Sequence, residues 1–200
     1  MRKLTLGIVL LLGFSGTVAA EADIAAGQAK TAICGACHGA DGNSMVGLFP
    51  KLAGQNVRYL VKQMNDIKSG DRAVPEMAGQ LDAYTDQDME NVAAYFASQT
   101  IKLGKAKPEL VALGEQLYRA GSTRKAVSAC TACHSPTGSG NAPAGFPSLK
   151  GQHAEYTALQ LKAFRSEKRH NDADKVMRNN AELLSDKDIE ALASYISGLR

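Results

Sequence analysis

The chain's four cysteines fall into two copies of one five-residue motif, Cys34-Gly-Ala-Cys37-His38 and Cys130-Thr-Ala-Cys133-His134. The copies begin 96 residues apart, and the match runs on beyond them. Phe49-Pro50-Lys51-Leu52-Ala53-Gly54-Gln55 answers Phe146-Pro147-Ser148-Leu149-Lys150-Gly151-Gln152, and Tyr59 and Gln63 answer Tyr156 and Gln160. At the far end, Thr85-Asp86-Gln87-Asp88 with Met89, Val92, Ala93, Tyr95 and Phe96 pairs with Ser185-Asp186-Lys187-Asp188 with Ile189, Leu192, Ala193, Tyr195 and Ile196. A repeat of this length is a duplicated domain rather than a short solenoid unit. It predicts two similar halves joined near Thr100–Pro108, a stretch holding Gly104, three lysines and Pro108.

Each half reads as all-α. The S/T-x-x-D starts at Thr85 and Ser185 place a hydroxyl and a carboxylate where a helix leaves amides unpaired, and the apolar residues that follow keep a helical stripe. Shorter helices are expected over Asp23–Ile33 and Val57–Ile67, with counterparts at Pro108–Ala120 and Glu155–Ser166, and no alternating strand pattern competes. Domains of this size bury a limited core and gain from a cofactor or crosslink.

The first twenty residues stand apart. Arg2 and Lys3 precede an apolar run from Leu4 to Phe14 and the small residues Val18-Ala19-Ala20, the pattern of a secretory signal peptide cleaved near Glu21. The run is shorter than the roughly 20 residues that cross a bilayer. The expected compartment is therefore the periplasm, if the membrane is bacterial. The expected division is a leader at 1–20, an N-terminal domain at 21–103 and a C-terminal domain at 104–200.

The whole chain has 23 Lys plus Arg against 20 Asp plus Glu, without a polybasic run, so nothing calls for nucleic acid. Residues 21–105 hold 8 basic and 10 acidic side chains and residues 106–200 hold 13 and 10. The contrast suggests a dipole, and Lys162, Arg165, Lys168 and Arg169 are expected to form a basic face for an acidic partner.

Four uses compete for C-x-x-C in an exported chain: disulfides, zinc, a thioredoxin-like redox pair, and covalent haem attachment. No βα junction surrounds either pair, which disfavours the redox motif. Pairs in a zinc site normally lie some 15–20 residues apart, whereas 92 residues separate Cys37 from Cys130. The histidine that follows each pair favours haem: two thiols one helical turn apart for thioether bonds, Cys34 with Cys37 and Cys130 with Cys133, and an adjacent imidazole, His38 or His134, for the iron. Haem propionates would turn a nearly neutral polypeptide acidic.

A carrier iron needs a second axial ligand, for which methionine is the first type to test. Met77 and Met177 alone recur in both halves, each eight residues before the helix-start hydroxyl and each in a polar stretch. Met45, Met64 and Met89 answer Asn141, Leu161 and Ile189, and Met64 and Met89 lie on helix stripes that suit the core. His153 and His170 lack counterparts and are expected at the surface. The carbonyls of Pro50 and Pro147, 12 and 13 residues after the ligand histidines, could accept the imidazole Nδ1 proton.

On these residues the chain resembles the dihaem cytochrome c4 family, tandem class I cytochrome c domains, over nearly all of the mature sequence. The resemblance implies a haem c in each domain, propionate edges facing each other across the domain interface, and Gly27 with Tyr95 and Gly114 with Tyr195 at the crossing of first and last helices. It implies one-electron transfer without catalysis, delivery to a terminal haem-copper oxidase, and an upstream donor such as a cytochrome bc complex, with peripheral membrane association left open. Two other roles stay open: the dihaem subunit of a flavoprotein dehydrogenase, such as a sulfide-oxidising complex, and a dihaem peroxidase. The approach to the second motif departs from the first, with 16 residues from Gly114 to Cys130 against 7 from Gly27 to Cys34.

Overall fold

The computed structural model describes residues 21–200, so the expected leader lies outside the described residues. The described chain is helical: α1 Ile24–Ala29, α2 Ala32–His38, α3 Val57–Ser69, α4 Asp86–Ser98, α5 Pro108–Ala120, α6 Thr131–His134, α7 Ala154–Arg165, α8 Val176–Ala181 and α9 Asp186–Gly198, with short 3-10 turns at Pro75–Met77, Thr123–Lys125 and Ala173–Lys175. Among the described residues the only β pairings are the isolated bridges Ser122–Val127 and Asn141–Phe146.

The expected helix over Asp23–Ile33 is two helices. The amide and hydroxyl of Thr31 both donate to the Gln28 carbonyl, at 3.1 and 2.8 Å, which closes α1 and lets α2 begin afresh. That break separates the helix that packs from the helix that carries the cysteines.

In each half the first long element crosses the last, α1 on α4 and α5 on α9. Glycine makes the approach possible. A Cβ on Gly27 would lie 2.0 Å from the Asn91 carbonyl oxygen, and one on Gly114 would lie 2.4 Å from that of Ala191 and 2.6 Å from Tyr195 Cβ. The contacts confirm the expected crossing, though in the first half the glycine meets the backbone of Asn91 and Val92 rather than Tyr95. Both terminal helices start with a complete capping box, Thr85 with Asp88 and Ser185 with Asp188.

Behind each crossing lies a compact apolar core: Leu60, Val92, Ala93, Tyr95 and Phe96 in the first half, and Leu117, Tyr118, Val127, Leu184, Ile189, Leu192, Tyr195, Ile196 and Leu199 in the second. Met89 is fully buried and Met64 packs against the first core, as their helical positions predict. The added residues before Cys130 fold into the Thr123–Lys125 turn closed by the Ser122–Val127 bridge, with Val127 in the core.

The halves meet through reciprocal amide bonds. Gln55 accepts from the Ser148 amide at 2.8 Å and donates to the Ser148 carbonyl at 2.9 Å, while Gln152 does the same to Lys51 at 2.9 and 3.0 Å. Each glutamine thus completes the backbone of the other half, as a strand partner would. His153 sits in this seam, its Nε2 within 3.0 Å of the Ser44 carbonyl and 2.8 Å of the Ser44 hydroxyl. It is an interface residue, not the surface histidine expected; His170 is exposed as expected. The basic face also needs correction. Arg169 is buried at the joint, Arg165 is held by the Leu184 carbonyl at 2.8 Å and by Asp186 at 2.6 Å, and Lys162 lies 4.0 Å from Asp186. Only Lys168 of the four remains an exposed charge outside those pairings.

Gly114→Ala should lower the thermal stability of the holoprotein by about 1–3 kcal/mol, because the new methyl must displace the α9 backbone. Calorimetric melting of the variant beside the wild type measures it.

Candidate functional site

Each C-x-x-C-H motif lies on a short helix whose C-terminal end turns sharply. In the first half, α2 carries Cys34 and Cys37 one turn apart and ends at Gly39, with φ 79° and ψ 147°. In the second, Cys130 caps α6 and the same turn falls on Ser135, φ 67° and ψ 159°, a conformation that costs a side-chain-bearing residue on the order of 1–3 kcal/mol. Ser135 Oγ offsets part of this by accepting from the Ser139 amide at 2.9 Å.

The histidines that close these helices are buried, His38 to 8% and His134 to 6% exposure. Their Nδ1 atoms lie 2.9 Å from the carbonyl oxygens of Pro50 and Pro147, the pair anticipated from spacing. A carbonyl can only accept, so Nδ1 carries the proton and Nε2 keeps its lone pair. Burial pushes both imidazole pKa values below the ordinary one, outweighing the carbonyls that favour the charged form. Phe49 and Phe146 stand edge-on to the two rings, with centroids 6.3 and 6.1 Å away. Each ring is therefore fixed in tautomer, charge and orientation, the preparation a metal ligand requires.

The proline carbonyls are held by matching anchors. The Gly42 carbonyl accepts from Leu52 and Ala53 amides at 2.7 and 3.1 Å, and the Gly138 carbonyl accepts from Leu149 and Lys150 at the same distances. One residue further on, Gly54 donates to Phe96 at 2.9 Å and Gly151 to Ile196 at 3.0 Å, tying each proline loop to its terminal helix. Tyr95 and Tyr118 pin the residues after the motifs through hydroxyl bonds to the Ala40 and Ser135 carbonyls, at 2.9 and 2.8 Å.

No disulfide joins any two of the four cysteines. Burial raises the Cys34 pKa and pushes that of Cys130 up to about 11, so neither is a ready thiolate for disulfide exchange. Among the described residues no three His, Cys, Asp or Glu side chains converge as metal ligands, so a zinc site has no donor set. Unpaired cysteines one turn apart beside a buried, correctly protonated imidazole suit a covalently attached porphyrin with its iron on Nε2. The residues fit that group in both halves. A cleft of about 390 Å³ opens beside Cys133, lined by Thr131, Ser135, Asn141 and Pro143.

Met77 ends the Pro75–Met77 turn and Met177 is the second residue of α8. Both are half-buried and neither packs against a core cluster, whereas Met64 packs against the first core and Met89 is fully buried. The loops that hold them differ: Met177's amide donates to Asp172 at 3.0 Å, and the left-handed residues Asp174 and Lys175 precede it, whereas Met77's amide bonds back to Val74 at 2.9 Å.

The cytochrome c family profile matches the chain twice, over residues 24–100 and 111–200. Cytochrome c4 of Pseudomonas aeruginosa is 57% identical over 200 residues, covering all of both chains. The chain belongs to the cytochrome c4 family. The crystal structure of reduced recombinant cytochrome c4 from Pseudomonas stutzeri superposes with a TM-score of 0.88 at 54% identity, covering 90% of this chain and 100% of that one. A more distant relative, the thiosulfate dehydrogenase electron acceptor of Stutzerimonas stutzeri, is 36% identical over 83% of this chain and 78% of its own. The chain is thus a dihaem cytochrome c4 that carries electrons on two covalent haem c groups.

The structure brings each motif histidine to the proline carbonyl expected for it; nothing in the motifs pointed to Ser44 or Arg72, and Arg169, expected on an exposed basic face, joins them in the seam. The duplicated Tyr59, Gln63, Tyr156 and Gln160 were the available signal, since Arg72 and Arg169 recur at the same offset of 97 residues.

Cys37→Ser should leave one of the two haems on a single thioether. The reduced pyridine complex of the variant would then show a second absorption band shifted to the red beside the unchanged one; one unshifted band would place the attachment elsewhere.

Proposed function

We propose that this cytochrome c4 is a periplasmic one-electron carrier of a respiratory chain, exported by the leader at 1–20 and organised as domains at 21–103 and 104–200. The helix-free stretch between α4 and α5 supports that boundary. Thioethers at Cys34, Cys37, Cys130 and Cys133 hold the two haems, and His38 with Met77, and His134 with Met177, ligate the irons. The observation that carries the reading is the repeated buried imidazole with Nδ1 locked on a proline carbonyl beside two cysteines that form no disulfide.

When bound, haem supplies a one-electron iron couple, and a thioether ligand raises its potential. The protein's part would be to keep Nε2 unprotonated and aimed, to exclude water from the imidazole rings, and to offer Met77 and Met177 as the further ligands of the irons, which would leave no site there for a substrate. That assignment makes the chain a carrier rather than a peroxidase. Electrons pass to a terminal haem-copper oxidase and arrive from a membrane donor such as a cytochrome bc complex. Among the described residues no helix is long and apolar enough to cross a membrane, which suits a carrier that meets its partners by diffusion. A second reading, reduction by a periplasmic dehydrogenase, is favoured by the likeness to a thiosulfate dehydrogenase electron acceptor; the subunit of a flavoprotein complex would instead co-purify with its partner.

Met77→His and Met177→His should each remove about half of the weak far-red sulfur-to-iron band of the oxidised protein and lower one midpoint potential. The reduced wild type should bind no carbon monoxide. A full far-red band in either variant would reject that methionine, and carbon monoxide binding would favour the peroxidase.

A further inference from the structure

The carbonyls that fix the two motif histidines belong to peptide units whose N–H is held by the opposite half. The Pro50 carbonyl accepts the His38 Nδ1 proton at 2.9 Å, and the amide of that same peptide, Lys51 N–H, donates to Gln152 Oε1 at 2.9 Å. In the second half the Pro147 carbonyl accepts from His134 Nδ1 at 2.9 Å, and Ser148 N–H donates to Gln55 Oε1 at 2.8 Å. Each series of bonds thus runs from an imidazole through one peptide unit to a carboxamide 101 or 93 residues away from the amide it accepts.

Neither carboxamide is free to turn over. Gln152 Nε2 donates to the Lys51 carbonyl at 3.0 Å and Gln55 Nε2 to the Ser148 carbonyl at 2.9 Å, so exchanging oxygen for nitrogen would set donor against donor and acceptor against acceptor. Each Oε1 also accepts the amide of the residue after its own, Asn56 or His153, at 3.0 Å. Both glutamines are buried, which leaves water little access to these bonds. The following residues steady the same segments one peptide earlier. Asn56 Nδ2 donates to the Phe146 carbonyl at 3.0 Å, and His153 holds Ser44, whose hydroxyl donates to the Phe49 carbonyl at 2.6 Å.

A peptide whose N–H donates carries more negative charge on its carbonyl oxygen, because hydrogen bonds in series polarise one another, the more so in a low-dielectric interior. The stronger acceptor draws the Nδ1 proton, makes Nε2 more basic and favours the oxidised form of an iron bound there. We infer that Gln152 sets the potential of the haem ligated by His38, and Gln55 that of the haem ligated by His134. Each half then tunes the other's iron through the peptide that orients its ligand. The inference rests on the dihaem reading above. Both glutamines are positioning residues, since each acts on the imidazole through a peptide and touches no iron ligand itself.

The expected effect crosses the joint. In redox titrations of the intact dihaem protein followed by NMR, the signals of each assigned motif histidine track its own iron. Gln152→Leu should raise the midpoint potential of the first-half haem and move the His38 Nδ1–H resonance of the reduced protein upfield, with the signals of the second half moving less. Gln55→Leu should act in the same way on the second-half haem and His134. A joint that merely loosened would admit water, which favours the more highly charged oxidised iron and lowers the potential. A fall in potential, no shift, or a shift of the substituted half's own haem as large as that of the opposite one would overturn the proposal. Should a leucine variant fail to keep two haems, Gln152→Glu and Gln55→Glu retain an acceptor oxygen at the same place. Their opposite-half resonance should then stay at or downfield of the wild-type position with the midpoint at or below wild type; an upfield resonance or a higher midpoint would reject the proposal. Haem content is measured in parallel. Wild type with two haems per chain keeps the dihaem reading intact whatever the glutamines do, and fewer than two would reject that reading itself.

Discussion

The close crossing of the first and last helices in each half is the constraint on which the remainder is built. Gly27 and Gly114 let two backbones approach until a methyl would collide with a carbonyl. That contact sets α4 and α9 against the cysteine-bearing segments, so that Gly54 and Gly151 can bond to the ends of these helices and the proline loops become rigid. The carbonyls of Pro50 and Pro147 then stand where each imidazole needs an acceptor. A loose crossing would leave the ring free to rotate or to take the other tautomer, and the iron ligand would lose its direction.

Between the halves the same economy is used twice. Gln55 and Gln152 bond to backbone of the opposite half, and Arg72 and Arg169 bond to side chains of the opposite half. Nearly every partner is polar and neutral, and the packed helices on either side keep most of the water away. Such a joint is held in place because its buried side-chain amides and hydroxyls are paired. The approximate twofold symmetry of these contacts follows from duplication: a surface that meets its own copy places each residue opposite its counterpart's neighbours.

Much of the candidate site was legible in the sequence for a local reason. Cysteine spacing, the histidine after it and the capping boxes are encoded within a few residues, and the repeat removed Met45, Met64 and Met89 from consideration as ligands. The misreadings share a different cause. The helix expected over Asp23–Ile33 broke because the Thr31 hydroxyl and amide turned back on Gln28, a competition that apolar periodicity does not register. Arg165 and Arg169 read as surface charge because the local pattern registers neither the loop of its own half that engages Arg165 nor the opposite half that meets Arg169. His153 was misplaced for the same reason.

The sequence by itself determined the covalent chemistry: where thioethers can form, which imidazoles follow them, and that the unit occurs twice, since bonds and helical turns are properties of neighbouring residues. Only the tertiary structure decided which groups meet across the joint. Arg72 finds Tyr156 and Arg169 finds Tyr59 over separations of 84 and 110 residues, and such meetings depend on how two rigid bodies dock, for which no periodicity in the chain is required.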